Sequence, residues 1–289
     1  MNEYSSIFAT GLPLEKISKI IATSKNDTEY EEKIAVEGEK YLKRYVAFKQ
    51  YQTLVKLGEQ KLPLNIIISG IPGIGKTALA QALSKTFDIR IIIGGDALRS
   101  SFRTLLKKED NEVFFDSVYN SWKYFGDFSR QNLNAGYFEQ SKIMNKAVEY
   151  MITDRGFRDG ESLIVEYLHF LPSQFNQEFL KHPSFLPIVL QITDEEIYSH
   201  RIMQRDQYSH LKSTGKRLLE QKEKYLLIQE FQCSEMEKYN LPIFNINDFD
   251  SGFDAIIEFV STRIIKLNQI KNYTEKNILL EKIKQDRIK

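Results

Sequence analysis

The chain of 289 residues carries 40 basic and 39 acidic side chains, a formal net charge of +1, so no global field draws it to nucleic acid. Its length suits one main domain with an appendage and a large buried core. Cys233 is the one cysteine, which excludes an intrachain disulfide and fits a reducing compartment; with no stretch of membrane-spanning length and no leader-like N-terminus, a cytoplasmic protein without membrane contact is expected.

In chain order, residues 1–60 read as a helical N-terminal region. The run 14–21 has apolar residues three and four apart, and 30–57 continues as a longer, charged amphipathic helix. Leu62-Pro63-Leu64 marks the entry to a central domain over 61–268, because the residue before a proline leaves helical space. Within it the spacing predicts strands over 65–69, 89–93, 162–166, 186–192 and 243–246. Helices are predicted over 78–83, 96–107, much of 126–153, 194–205, a long stretch ending near 239, and 253–267. The tail 269–289 reads as helical, and its lysine-rich end as a solvated face.

Between the first strand and its helix lies Gly70-Ile71-Pro72-Gly73-Ile74-Gly75-Lys76-Thr77, which fits Gly-x-x-x-x-Gly-Lys-Thr in the strand–loop–helix context that gives the motif its meaning. Gly70, Gly73 and Gly75 free the backbone so that N–H groups, with those of Ile74 and Ala78, can converge on phosphate oxygens at a helix N-terminus. Lys76 reaches for the terminal phosphates and the Thr77 hydroxyl for a magnesium ion. The bland alternative, a tight glycine turn between strand and helix without ligand, is set aside by the full motif in its context. ATP and Mg2+ are the expected cofactors. Alternating short strands and helices then predict a P-loop kinase-like α/β fold: a three-layer α/β/α sandwich with a five-stranded parallel sheet, preceded by the small helical region.

Ligands of such sheets gather at the carboxyl ends of the strands. There Asp96, Arg99 and Arg103 share one helical face, which suits an anionic acceptor gripped by two guanidiniums while Asp96 engages its hydroxyl. The alternative makes Asp96 an N-cap paired with Arg99 on the surface. Glu166 ends the third strand, placed to hold magnesium or to accept a proton, and His169 follows on the same edge. Arg201 and Arg205, one turn apart, precede the polar segment 208–216 and suit a lid over the transferring phosphate; Lys212, Lys216 and Arg217 extend it. The competing reading is an ordinary exposed basic helix. No Asn-Lys-x-Asp segment selects guanine.

These residues together resemble the archaeal-type 2-phosphoglycerate kinases. The likeness is an ordered set: the P-loop, Asp96-Ala97-Leu98-Arg99-Ser100-Ser101-Phe102-Arg103, Gly136-Tyr137-Phe138-Glu139-Gln140-Ser141, Ile164-Val165-Glu166-Tyr167-Leu168-His169-Phe170-Leu171-Pro172, Thr193-Asp194-Glu195-Glu196 with Arg201 and Arg205, and Arg217-Leu218-Leu219-Glu220 through Ile228-Gln229. Ala9-Thr10-Gly11-Leu12 is similar to the start of the family's accessory region, and the likeness covers most of 7–260. It implies ATP-dependent phosphorylation of a small anionic metabolite, 2-phosphoglycerate to 2,3-bisphosphoglycerate. Lys76, Asp96, Glu166, Arg201 and Arg205 would be catalytic, Asp96, Arg99, Arg103 and His169 would bind substrate, and Thr77 and Glu166 would hold the metal. Tyr167 stands where the family pattern has glycine, and bears on the choice of acceptor. The alternatives are a nucleoside or polynucleotide kinase on the same fold, which asks for a basic groove or a stacking aromatic site, and a nucleotide-dependent regulatory ATPase without acceptor.

Overall fold

The computed structural model describes residues 4–205 and 214–270. Five parallel strands, β1 (Asn65–Ser69), β2 (Ile91–Gly94), β3 (Leu163–Tyr167), β4 (Phe185–Gln191) and β5 (Ile243–Asn245), form one sheet in the order β2-β3-β1-β4-β5. Both faces are buried, as the near-continuous apolar runs require. Ile66, Ile68, Ile164, Leu186, Ile188 and Leu190 point into one core, whereas Ile67, Val165, Tyr167, Phe185 and Val189 point into the other. The expected three-layer sandwich is therefore present.

The first core is closed by α4 (Glu39–Lys56), α5 (Lys76–Thr86), α12 (Lys222–Lys238) and α13 (Phe249–Gln269). The second is closed by the later turns of α8 (Arg130–Met151), which runs on as a π-helical turn over Ile152–Arg158, and by α9 (Gln177–Lys181). A third, smaller cluster joins Ile7, Leu12, Ile17, Ile20, Ile34 and Tyr45 within the N-terminal helices.

Most boundaries shift by a residue or more from the sequence reading, and four of the differences are instructive. The run 30–57 is two helices, α3 (Asp27–Glu37) and α4, because Gly38 takes φ +138° between them. β2 starts two residues late: Asp88, at φ +50°, terminates α5 in a left-handed turn before Ile89. β3 ends at Tyr167, so Glu166 is its penultimate residue. α13 begins at Phe249 because the Asp248 side chain accepts from the Ser251 N–H and caps it. The tail beyond 270 lies outside the described residues. Among those residues no helix is long and apolar enough to cross a membrane.

Candidate active site

The register brings the site together. Glu166 lies opposite Ile68 of β1 on one side and Gly94 of β2 on the other. The loop leaving β1 and the helix leaving β2, α6 (Gly95–Leu105), therefore flank one carboxylate at the sheet edge. Gly95 is what lets α6 sit so close: a Cβ there would come within 2.2 Å of the Tyr167 Cβ.

The P-loop is preformed. Gly73 has φ +81° and packs against Ile202 of α10 (Glu195–Gln204), and Gly75 has φ +106° at the start of α5. Both angles favour glycine. The Tyr198 hydroxyl donates to the Pro72 carbonyl at 3.0 Å, so α10 buttresses the loop. Lys76 donates to the Ile71 carbonyl at 3.0 Å across the loop, and burial lowers its ammonium to about 8. The Thr77 hydroxyl donates to Glu166 Oε1 at 3.2 Å. Burial pushes the Glu166 carboxyl up, against the opposing pull of Lys76.

Hydroxyl and carboxylate together offer hard oxygens suited to magnesium. Among the described residues no cluster of three or more His, Cys, Asp or Glu forms a self-sufficient metal cage. Two protein oxygens completed by phosphate and water are the pattern that magnesium takes with nucleotides.

Beside the P-loop a cavity of about 220 Å³ is lined by Asp96, Arg99, His169 and Arg205 from the predicted set, with Pro72 as its link to the loop. A larger cavity, about 540 Å³, lies at the opposite, amino end of the sheet near Tyr51, Phe157 and His182, far from these groups. Asp96 is not an N-cap: Gly94 holds that position, and the exposed Asp96 carboxylate faces the cavity from the first turn of α6.

His169 is 4% exposed, stacks on Tyr137 with ring centroids 5.9 Å apart, and has a buried Nε2 without hydrogen-bond partner. Burial, reinforced by Arg99, Lys76 and Arg103, drives its pKa well below the usual histidine value, so the ring is neutral.

Two arginines are used differently from the expectation that they grip an acceptor. Arg103 does not line the cavity. Its guanidinium donates to the carbonyls of Phe114, at 3.0 Å, and Asp116, at 3.1 Å. Arg99 donates to the same two carbonyls, at 2.9 and 2.5 Å, while its buried Nε is left unpartnered. Burial, with Arg103 alongside, lowers the Arg99 guanidinium to about 10. The pair thus clamps the chain that runs through Ser117, Val118 and Tyr119, one wall of the cavity. Arg201 also lies off the cavity and donates to the Asn247 carbonyl at 3.0 Å. Of the further lid residues, Arg217 lines the cavity and Lys216 is exposed, whereas Lys212 lies outside the described residues.

The sequence reading missed Tyr119 and Tyr225, which meet edge to face at 5.9 Å and form an aromatic wall. No local motif marks either residue; they meet only because α12 folds back over the sheet edge. It also missed Phe249, whose ring stands 3.6 Å from where a Gly75 Cβ would be. Tyr167 stays out of the cavity. It is buried in the second core, and its hydroxyl bonds Asn145 Oδ1 at 2.9 Å.

No family model matches the chain. Mevalonate-3-phosphate 5-kinase of Thermoplasma acidophilum is 30% identical over 184 residues, spanning 64% of this chain and 89% of that protein. The 2-phosphoglycerate kinase of Methanopyrus kandleri is 24% identical over 218 residues, 75% of this chain and 66% of the relative. That of Methanocaldococcus jannaschii is 24% identical over 219 residues, 76% and 70% respectively.

Proposed function

We infer the reaction from one premise: this chain belongs to the 2-phosphoglycerate kinase-like family of ATP-dependent small-molecule kinases. The proposed reaction is transfer of the terminal phosphoryl group of ATP to a hydroxyl of a small anionic metabolite, with 2-phosphoglycerate, giving 2,3-bisphosphoglycerate, as the first candidate. The observation that carries it is the shared sheet edge. Lys76 and Thr77 stand beside a cavity with a carboxylate and three guanidiniums on its walls.

Phosphoryl transfer asks for positioning and charge neutralisation more than for covalent chemistry. A magnesium ion held by Thr77 and Glu166 would supply positive charge to the phosphates. Lys76 exchanges its Ile71 carbonyl for a phosphate oxygen. Glu166 is engaged by Thr77, whereas Asp96 faces the cavity with no hydrogen-bond partner among the described residues. Asp96 is therefore the proposed base for the acceptor hydroxyl. Arg205 and Arg217 close on the transferred group and the acceptor's own anion, and Arg99 meets the acceptor through Nη1, since both carbonyl bonds come from Nη2. Neutral His169 offers a hydrogen bond without adding charge.

One observation favours a second acceptor. Val118, Leu168 and Leu218 add an apolar side to the cavity, which suits a branched hydrocarbon body such as that of mevalonate 3-phosphate.

The experiment is ADP release by the purified protein with Mg-ATP and each acceptor in turn, with the product read by phosphorus NMR. Strong stimulation by 2-phosphoglycerate is expected. ATP binding with no stimulation by either compound would overturn the acceptor assignment.

A further inference from the structure

Gln232 lies in the middle of α12 and is fully buried. Its amide nitrogen stands within hydrogen-bonding distance of four acceptors: Ser69 Oγ at 2.9 Å, the Leu168 and Phe170 carbonyls at 3.0 Å each, and the Tyr137 hydroxyl at 3.2 Å. An amide has two N–H donors, so these bonds are shared. The Leu168 carbonyl also receives the Ser69 hydroxyl at 3.0 Å and the Tyr137 hydroxyl at 2.8 Å.

The partners are not a random set. Ser69 is the last residue of β1 and leads directly into Gly70 of the P-loop. Leu168 and Phe170 are the neighbours of His169 on either side, and Tyr137 is the ring on which His169 stacks. A single side chain thus ties the entrance of the P-loop to the backbone and the ring that hold His169 in the cavity wall.

The helix that carries Gln232 extends the same function. Tyr225, Gln229 and Gln232 fall four and three residues apart, on one face of α12. Tyr225 lines the cavity. Gln229 accepts from the Ile192 N–H at 3.0 Å and donates to its carbonyl at 2.9 Å, clamping the chain just past β4. This face therefore spans the exits of β1, β3 and β4. Gln232 satisfies the buried Phe170 carbonyl while leaving its own Oε1 buried without a partner.

We propose that Gln232 is a positioning residue for phosphoryl transfer, which fixes His169 and the acceptor side of the cavity at a set distance from the P-loop. It touches neither nucleotide nor acceptor. The proposal rests on the cavity being the acceptor site, and its test separates the two.

Gln232→Met keeps the volume and removes the donors, while Tyr137→Phe, a milder change, removes one hydroxyl of the same network. Both are assayed below the unfolding temperature of the weaker variant. In Gln232→Met the acceptor kcat/KM should fall by about tenfold to a hundredfold, the scale of a small misplacement at the reacting centre, while ATP affinity holds. Tyr137→Phe should show a smaller loss of the same kind.

The second readout needs no acceptor. In nitrogen-15 NMR of the histidine rings, Gln232→Met should move the His169 resonances and leave those of His182 and His200 in place. A lowered melting temperature with unchanged acceptor kinetics and unmoved His169 resonances would reduce Gln232 to a structural role and overturn the proposal. If the wild-type protein turns over neither acceptor, the acceptor assignment alone falls. The ring resonances then decide Gln232: movement supports it, and no movement ends it.

Discussion

Lys76 is a half-buried cation whose ammonium donates to one carbonyl. Burial lowers it to about 8 from an ordinary 10.5, so between those values the unfolded chain binds a proton that the folded chain does not. The nucleotide-free protein should therefore gain stability as pH rises from about 8 toward 10.5, and Lys76→Met should flatten that part of the curve. Denaturant midpoints measured at several pH values check this. Phosphate oxygens restore the charged form, so Mg-ATP binding near pH 8 should take up a proton, seen by calorimetry in buffers of different ionisation enthalpy. Lys76→Met should abolish turnover with the fold intact. The P-loop was legible because its chemistry depends on neighbours within eight residues. The arginines were legible only in part. Their spacing correctly placed Arg99 and Arg103 on one face of α6, but the carbonyls of Phe114 and Asp116 that they meet come from a single helical turn, Glu112–Phe115, and its C-cap, with no signature of their own.

Gly95 shows what the contact between α6 and β3 demands of single residues. In Gly95→Ala the new methyl carbon would lie 2.2 Å from the Tyr167 Cβ, so the helix must move away from the strand. Overpacking of this kind costs about 1–3 kcal/mol. Because Asp96 is the next residue, the melting temperature and kcat should fall together; an unchanged kcat in the folded variant would detach Asp96 from catalysis. The five strands were legible to within two residues because each parallel strand, the half-buried edges β2 and β5 included, leaves a short apolar run between breakers. Helix limits were harder. The period of 30–57 carries no sign that Gly38 turns the chain, and the start of α13 depends on the Asp248 side chain rather than on the apolar pattern.

Among the N-terminal helices, α4 reaches into the main core. Ala47, Phe48 and Tyr51 of α4 pack in the same cluster as Ile66 and Ile68. Arg44, 2% exposed, donates to Asp254 at 2.7 Å and to Glu258 at 2.8 Å on α13, and to the Thr10 carbonyl at 3.1 Å. Arg44→Met should cost about 2–3 kcal/mol, below the full range for a broken buried pair, because both acids are partly exposed and regain water. Denaturation should remain a single transition, with kcat per folded molecule unchanged. Two transitions would instead separate the N-terminal helices from the kinase core.

The strand order has a consequence for how the chain is made. β1 occupies the centre of the sheet, yet Asn65 pairs with Leu163 and Phe185, 98 and 120 residues downstream. At a synthesis rate of about 5–20 residues per second, the strand leaves the ribosome about 5–20 seconds before its first partner exists. During that interval the run Ile66-Ile67-Ile68 is a sticky ribbon without an edge to join. The chain already translated includes α4, whose Phe48 and Tyr51 share a core with this strand's Ile66 and Ile68 in the finished molecule. The helices that precede β1 are thus an apolar surface already available to shield the strand that will carry the phosphate loop.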